Sequence, residues 1–138
     1  RSEKSGFGCI GFCFGGHVAY LAATLPEIQA TASFYSGGGP ARAGNWSPGE
    51  GPATITRTPE IKGTIYGFFG MEDASISAAQ VDLIEAELQK HRISNRIFRY
   101  DGADHGFCCD HRSSYNHSAA TDAWNQVQQL FQQKLQAA

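Results

Sequence analysis

The apolar positions of this chain fall in short blocks separated by polar and glycine-rich stretches, and the period inside each block changes along the sequence. "FGCIGF" (7–12) is a nearly continuous apolar run closed by glycine, the pattern of a strand buried on both faces. "GGHVAYLAATLP" follows at once and predicts a helix that ends before Pro26. "IQATASFYS" (28–36) and "KGTIYGFFG" (62–70), rich in β-branched and aromatic residues, predict two further strands. In "SAAQVDLIEAELQKH" (77–91), Val81, Ile84 and Leu88 recur at spacings of three and four behind Ser77, a suitable N-cap, so this stretch is an amphipathic helix. "NRIFRY" (95–100) predicts a fourth strand, and "SAATDAWNQVQQLFQQKL" (118–135) a last helix whose inward stripe runs through Ala120, Trp124, Val127, Phe131 and Leu135. About four strands alternating with three main helices imply βαβ units, hence an α/β class with a parallel β-sheet flanked by helices. The stretch 37–52, "GGGPARAGNWSPGEGP", is a glycine- and proline-rich loop longer than most in compact domains, either functional or mobile.

Composition narrows the partners. A chain of 138 residues, 41% hydrophobic and 17% charged, fits one small globular domain with one core. A formal charge of −2 offers no basic stripe for a phosphate backbone, which argues against nucleic acid. No apolar run approaches the roughly 18 residues of a spanning helix, so no membrane is implied, and the polar opening "RSEKSG" contains nothing like a signal peptide. Cysteines at 9, 13, 108 and 109 lack the spacing of a disulfide framework; free thiols in a reducing, cytoplasmic setting are expected.

The chemistry begins at "GFCFGG" (11–16), where the first strand turns directly into a helix among small residues. That is the geometry of a nucleophile elbow, which lifts the central side chain above the carboxyl edge of a sheet. Gly11, Gly15 and Gly16 would allow the strained turn and close helix packing, since a Cβ there would clash. Cys13 would lie at the helix N-terminus, where amides and the dipole favour a thiolate and then an oxyanion, with the Phe14 amide as one donor. The plainer reading of Cys13 is a small buried hydrophobe at a strand end.

A cysteine nucleophile needs a base, and the base an orienting carboxylate. Asp73 follows the third strand in "FFGMEDASIS", and His105 follows the fourth in "DGADHGF". Nucleophile, acid and histidine in that chain order, each after a strand, match the α/β-hydrolase arrangement. Glu72, Asp101 and Asp104 are rivals for the acid. His105 is preferred over His17, His91, His111 and His117 because it alone follows a strand in a glycine-bracketed loop. A metal site is the competing chemistry, since "HGFCCDHRSSYNH" (105–117) crowds possible zinc ligands together, but its spacing is not that of a structural zinc motif.

"GFCFGGHVAY", "GFFGMEDASI" and "YDGADHGFCCDHRSSYNHSAATDAW" together resemble dienelactone hydrolases (carboxymethylenebutenolidases), along essentially the whole chain. The resemblance implies a partial α/β-hydrolase fold in which Cys13 attacks a lactone or ester carbonyl, His105 shuttles the proton and Asp73 holds the imidazole. It implies a small-molecule substrate and neither a metal nor an organic cofactor. Members of that family carry, ahead of the elbow, further strands and a loop giving a second oxyanion amide. Residues 1–138 therefore read as a single truncated domain lacking the N-terminal strands, and a catalytically weak remnant that binds or oligomerises is the alternative. Strand 7–12 then becomes an exposed edge through which a homo-oligomer is expected. Substrate contacts are expected from Arg112, a fork suited to a carboxylate, and from Trp46 and Phe107 as apolar walls; Arg42 and Arg57 are further candidates.

Overall fold

The computed structural model describes residues 6–36 and 54–135. Strands β1 (Phe7–Phe12), β2 (Ile28–Phe34), β3 (Thr64–Gly70) and β4 (Asn95–Tyr100) form one parallel sheet in the order β1-β2-β3-β4. Helix α1 (Phe14–Ala22) joins β1 to β2, α2 (Ala78–Lys90) joins β3 to β4, and α3 (His117–Leu135) follows β4. Strand alternation sets the layers. A Cβ on Gly8 would meet Leu135 and Phe131 of α3, whereas one on Gly11 would meet Gly15 and Ala19 of α1, so the two helices cover opposite faces of β1.

The central strands are apolar runs because both of their faces are covered. Every residue of β3 is buried, as are Ala30 to Phe34 of β2. One aromatic rung from each strand stands in register across the sheet: Phe12 opposite Phe34, Phe34 opposite Phe68, Phe68 opposite Phe98. Their rings stack at centroid distances of 4.6, 4.4 and 4.9 Å, forming a ladder that fixes the relative height of the strand ends.

Helix α2 starts where its cap dictates. The Ser77 hydroxyl accepts from the Gln80 amide at 3.2 Å, and the Gln80 side chain accepts from the Ser77 amide at 3.1 Å, a reciprocal capping box. Val81, Ile84 and Leu88 are its buried stripe.

Two expectations need correction, and one element was not foreseen. β1 is not buried on both faces: it ends the sheet, and Phe7, Ile10 and Phe12 are 62%, 38% and 42% exposed. Helix α1 ends at Ala22, before Pro26 as expected, because the Thr24 amide and hydroxyl both turn back onto the Leu21 carbonyl. The buried stripe of α3 is Ala119, Ala123, Val127 and Leu130, with Phe131 and Leu135 packed at its margin; Ala120 is only partly buried and Trp124 is half exposed. A close-packed helix turns its alanines to the sheet and its indole outward. The element not foreseen is a 3₁₀ helix, Thr54–Glu60, which the sequence pattern did not signal. Pro59 and its β-branched residues disguise it, and it is anchored by Ile55 in the core and by Thr58, whose hydroxyl pairs with Tyr20 at 2.6 Å.

Candidate active site

Each parallel strand delivers its next loop to the same sheet edge, and the site is built there. Directly after β1, Cys13 adopts φ 58° and ψ −120°, a left-handed backbone rare outside glycine and costing on the order of 1–3 kcal/mol. The structure over-determines this strain. The Cys13 amide donates to the Phe34 carbonyl at 3.1 Å, and the Cys13 carbonyl accepts from the Gly16 amide at 2.9 Å as α1 begins. Gly11 and Gly16 are required by contact, since a Cβ would run into the carbonyl of Gly15 in one case and that of Phe34 in the other. Gly15 is not: among the described residues nothing stands within 4 Å of where its Cβ would be. Buried Ser33 donates its hydroxyl to the Gly16 carbonyl at 2.8 Å, fastening the turn to β2.

Asp73 lies in the loop after β3, and its carboxylate is 1% exposed. His105 lies after β4, in a loop that Gly106 turns at φ 77°. The two loops are tied by the Glu72 amide donating to the Ala103 carbonyl at 2.9 Å. His105 Nδ1 sits 2.7 Å from Asp73 Oδ2, and His105 Nε2 sits 3.0 Å from Cys13 Sγ, so residues 32 and 92 apart in sequence form one continuous line. An ionised carboxylate only accepts, so Nδ1 carries the proton in this arrangement and Nε2 presents its lone pair to the thiol. Asp73 Oδ1 is held separately by the Ser75 amide at 2.8 Å and the Ser75 hydroxyl at 2.6 Å. The N-terminus of α1 adds a positive partial charge beside Sγ, with Phe14 the first residue of that helix.

Beneath this line, Tyr35 packs its ring edge-on to His105 at 5.1 Å and to Phe107 at 5.2 Å. Burial pushes the Tyr35 hydroxyl well above its ordinary value, so it stays a neutral floor. Sequence reasoning missed Tyr35 and Ser75; the D-x-S spacing of Asp73 and Ser75, an Asx-turn signal, would have found the latter.

The rival carboxylates Glu72, Asp101 and Asp104 are exposed, and among the described residues it is Asp73 that pairs with His105. Among the other histidines, His17 bonds Thr54 at 2.6 Å, His91 caps α2, and His117 lies beside Tyr115. Arg112 borders a cleft of about 410 Å³ with Asp73, Ser75 and His105, its guanidinium lying against Gly106. Phe107 is 0% exposed, so it supports the His105 loop from the core instead of walling an open pocket. Arg57 is occupied by a two-point pair with Glu60 at 2.8 and 2.9 Å. Arg42 and Trp46 lie outside the described residues. No group of three or more His, Cys, Asp and Glu side chains among the described residues gathers as metal ligands.

The sequence profile of the dienelactone hydrolase family matches residues 1–135. The chain belongs to the dienelactone hydrolase family. Similar proteins include one from Synechocystis sp., provisionally named a carboxymethylenebutenolidase, 55% identical over 93% of this chain and 50% of its own length. Another with the same provisional name, from Saccharolobus solfataricus, is 36% identical over 86% of this chain and 40% of its own. The chain thus spans about half the length of the curated relatives it matches. Among solved structures, a dienelactone hydrolase assigned provisionally in Klebsiella pneumoniae superposes with a TM-score of 0.81 at 28% identity, over 91% of this chain and 51% of that one. An acylaminoacyl peptidase from Pyrococcus horikoshii, at 14% identity and a TM-score of 0.76, shares the fold alone. The parallel four-stranded sheet with its flanking helices is accordingly a portion of the α/β-hydrolase fold that dienelactone hydrolase family members share.

Proposed function

We propose that this dienelactone hydrolase family chain supplies the reacting side chains of a hydrolase acting on lactones or carboxylic esters through a cysteine nucleophile. The observation that carries the reading is the unbroken line from Asp73 through His105 to Cys13, at 2.7 and 3.0 Å. His105 Nε2 takes the thiol proton as Sγ attacks the carbonyl carbon, and the carbonyl electron pair moves onto oxygen. The Phe14 amide and the α1 dipole stabilise that oxyanion. The carbon–oxygen bond then breaks as His105 returns the proton to the leaving oxygen. Water, deprotonated by His105, attacks the thioester, the acid leaves, and Cys13 recovers its proton. Asp73 keeps the imidazole in the Nδ1–H tautomer throughout. Arg112, in the adjoining cleft, suits a substrate bearing a carboxylate.

The test is turnover of aryl acetates and of a dienelactone by the chain and by Cys13→Ala, with intact-mass detection of an acylated Cys13. Turnover abolished by Cys13→Ala, with an acyl adduct on the wild-type chain, is the expected result; equal turnover in both would overturn the reading.

One further observation favours self-association. β1 presents Phe7, Ile10 and Phe12 at the end of the sheet, an apolar edge of the kind that pairs with another strand. A homo-oligomer joined through β1 follows, and a monomer mass in light scattering at micromolar concentration would sink it. The four cysteines are free, which fits a reducing compartment such as the cytoplasm.

A further inference from the structure

We infer that Ser75 is a positioning residue for the Asp73–His105 pair, a role that deepens the reading above and rests on it. The two carboxylate oxygens of Asp73 have separate partners. Oδ2 faces His105 Nδ1 at 2.7 Å, while Oδ1 is taken, among the described residues, by Ser75, through its amide at 2.8 Å and its hydroxyl at 2.6 Å. The Ser75 hydroxyl also stands 3.4 Å from His105 Nδ1, so serine, carboxylate and imidazole close a triangle. A hydroxyl has one hydrogen. It goes to the nearer, charged carboxylate, which leaves the Nδ1–H free to donate to Oδ2 and leaves Nε2 as the acceptor facing Cys13.

The orientation of Asp73 needs this second hold. A carboxylate rotates about its Cβ–Cγ bond with little resistance, since that torsion is broad and roughly two-fold. The amide fixes the position of Oδ1, and the hydroxyl, approaching from the His105 side, sets the plane in which Oδ2 meets the imidazole. Ser75 itself is exposed, and Ile76 and the Ser77 cap anchor the segment that follows, so removing the hydroxyl leaves the fold in place.

The experiment compares the chain with Ser75→Ala and Ser75→Thr. Its primary readout is the downfield proton resonance of the His105 Nδ1–H, assigned by its loss in Asp73→Asn. The resonance is expected in the wild type and in Ser75→Thr, which keeps the hydroxyl, and is expected to broaden away in Ser75→Ala while the thermal midpoint stays within a few degrees. A resonance unchanged in Ser75→Ala, lost equally in Ser75→Thr, or missing from the wild type would overturn the inference. Where an ester is turned over, Ser75→Ala lowers kcat about 3- to 10-fold with KM unchanged, the size of one ordinary net hydrogen bond, and Ser75→Thr restores it. The resonance does not depend on turnover. A chain that shows it, and its dependence on Ser75, yet hydrolyses no ester would sink the hydrolase reading and leave the positioning role standing.

Discussion

His105 Nδ1 lies 2.7 Å from Asp73 Oδ2, and the carboxylate that holds it is almost wholly out of solvent. Replacing Asp73 by Asn keeps the shape but lets an amide N–H face the ring, which favours the tautomer whose Nε2 carries the hydrogen and cannot accept from Cys13. On the proposed mechanism, we expect Asp73→Asn to lower ester turnover by on the order of 10⁴, the effect of the same substitution in the Ser-His-Asp triad. Iodoacetamide labelling of Cys13 near neutral pH should slow in parallel, and stopped assays of both quantities check it.

Ser33 joins the elbow to the sheet. Its hydroxyl reaches the Gly16 carbonyl at 2.8 Å and the Ser36 hydroxyl at 2.7 Å, and both serines are buried. Ser33→Ala removes one buried partner from the Gly16 carbonyl and one from the Ser36 hydroxyl and should destabilise the fold by about 1–2 kcal/mol, read as a lower urea midpoint at unchanged slope.

Glycines four residues apart should respond in opposite directions. Gly11→Ala drives a methyl group into the Gly15 carbonyl and should cost about 1–3 kcal/mol, whereas Gly15→Ala meets open space among the described residues and adds about 0.5 kcal/mol of helix propensity. The sign of the change in urea midpoint for each variant decides the matter.

Burial pushes the Cys108 thiol from its ordinary 9.0 up to about 11. The folded chain therefore holds this proton through a range in which the unfolded chain releases it. Its contribution is complete below about pH 9 and is lost as pH rises through about 11, so stability falls along that limb. Cys108→Ala should flatten the onset of the fall, with urea midpoints measured in reductant from pH 8 upward; an identical slope in the variant would show that the thiol does not contribute.

Much of this architecture is readable in the sequence, for identifiable reasons. β2 and β3 declare themselves because both faces are covered and nearly every position is apolar, and Ser77 with Gln80 marks the start of α2 through chemistry confined to four residues. Cys13, Asp73 and His105 stand out because parallel strands must release their loops at one edge, so chain order alone places them together. What escaped notice depends on packing distance. In α3 either of two adjacent stripes could have faced inward, and side-chain size favoured Trp124; the close approach of helix to sheet selects Ala119 and Ala123 instead. The 3₁₀ helix at Thr54–Glu60 has no periodicity to read, and its position depends on Tyr20 and Thr58, residues far apart in sequence. Ser75 hid for the opposite reason, since a serine two residues after an aspartate looks like any turn until the histidine beside it is seen.

The stack of Phe12, Phe34, Phe68 and Phe98 also bears on the fate of chains that fold wrongly. Cys13 follows the first of these rings directly, and the loops bearing Asp73 and His105 leave the strands of the last two. A slip of one residue in any strand would turn its ring to the opposite face and displace the attached reactive group in the same movement. A mispaired chain of this kind would thus lack the line from Asp73 to Cys13 as well as the stack, so that correct stacking and correct alignment of the three side chains arise in one event.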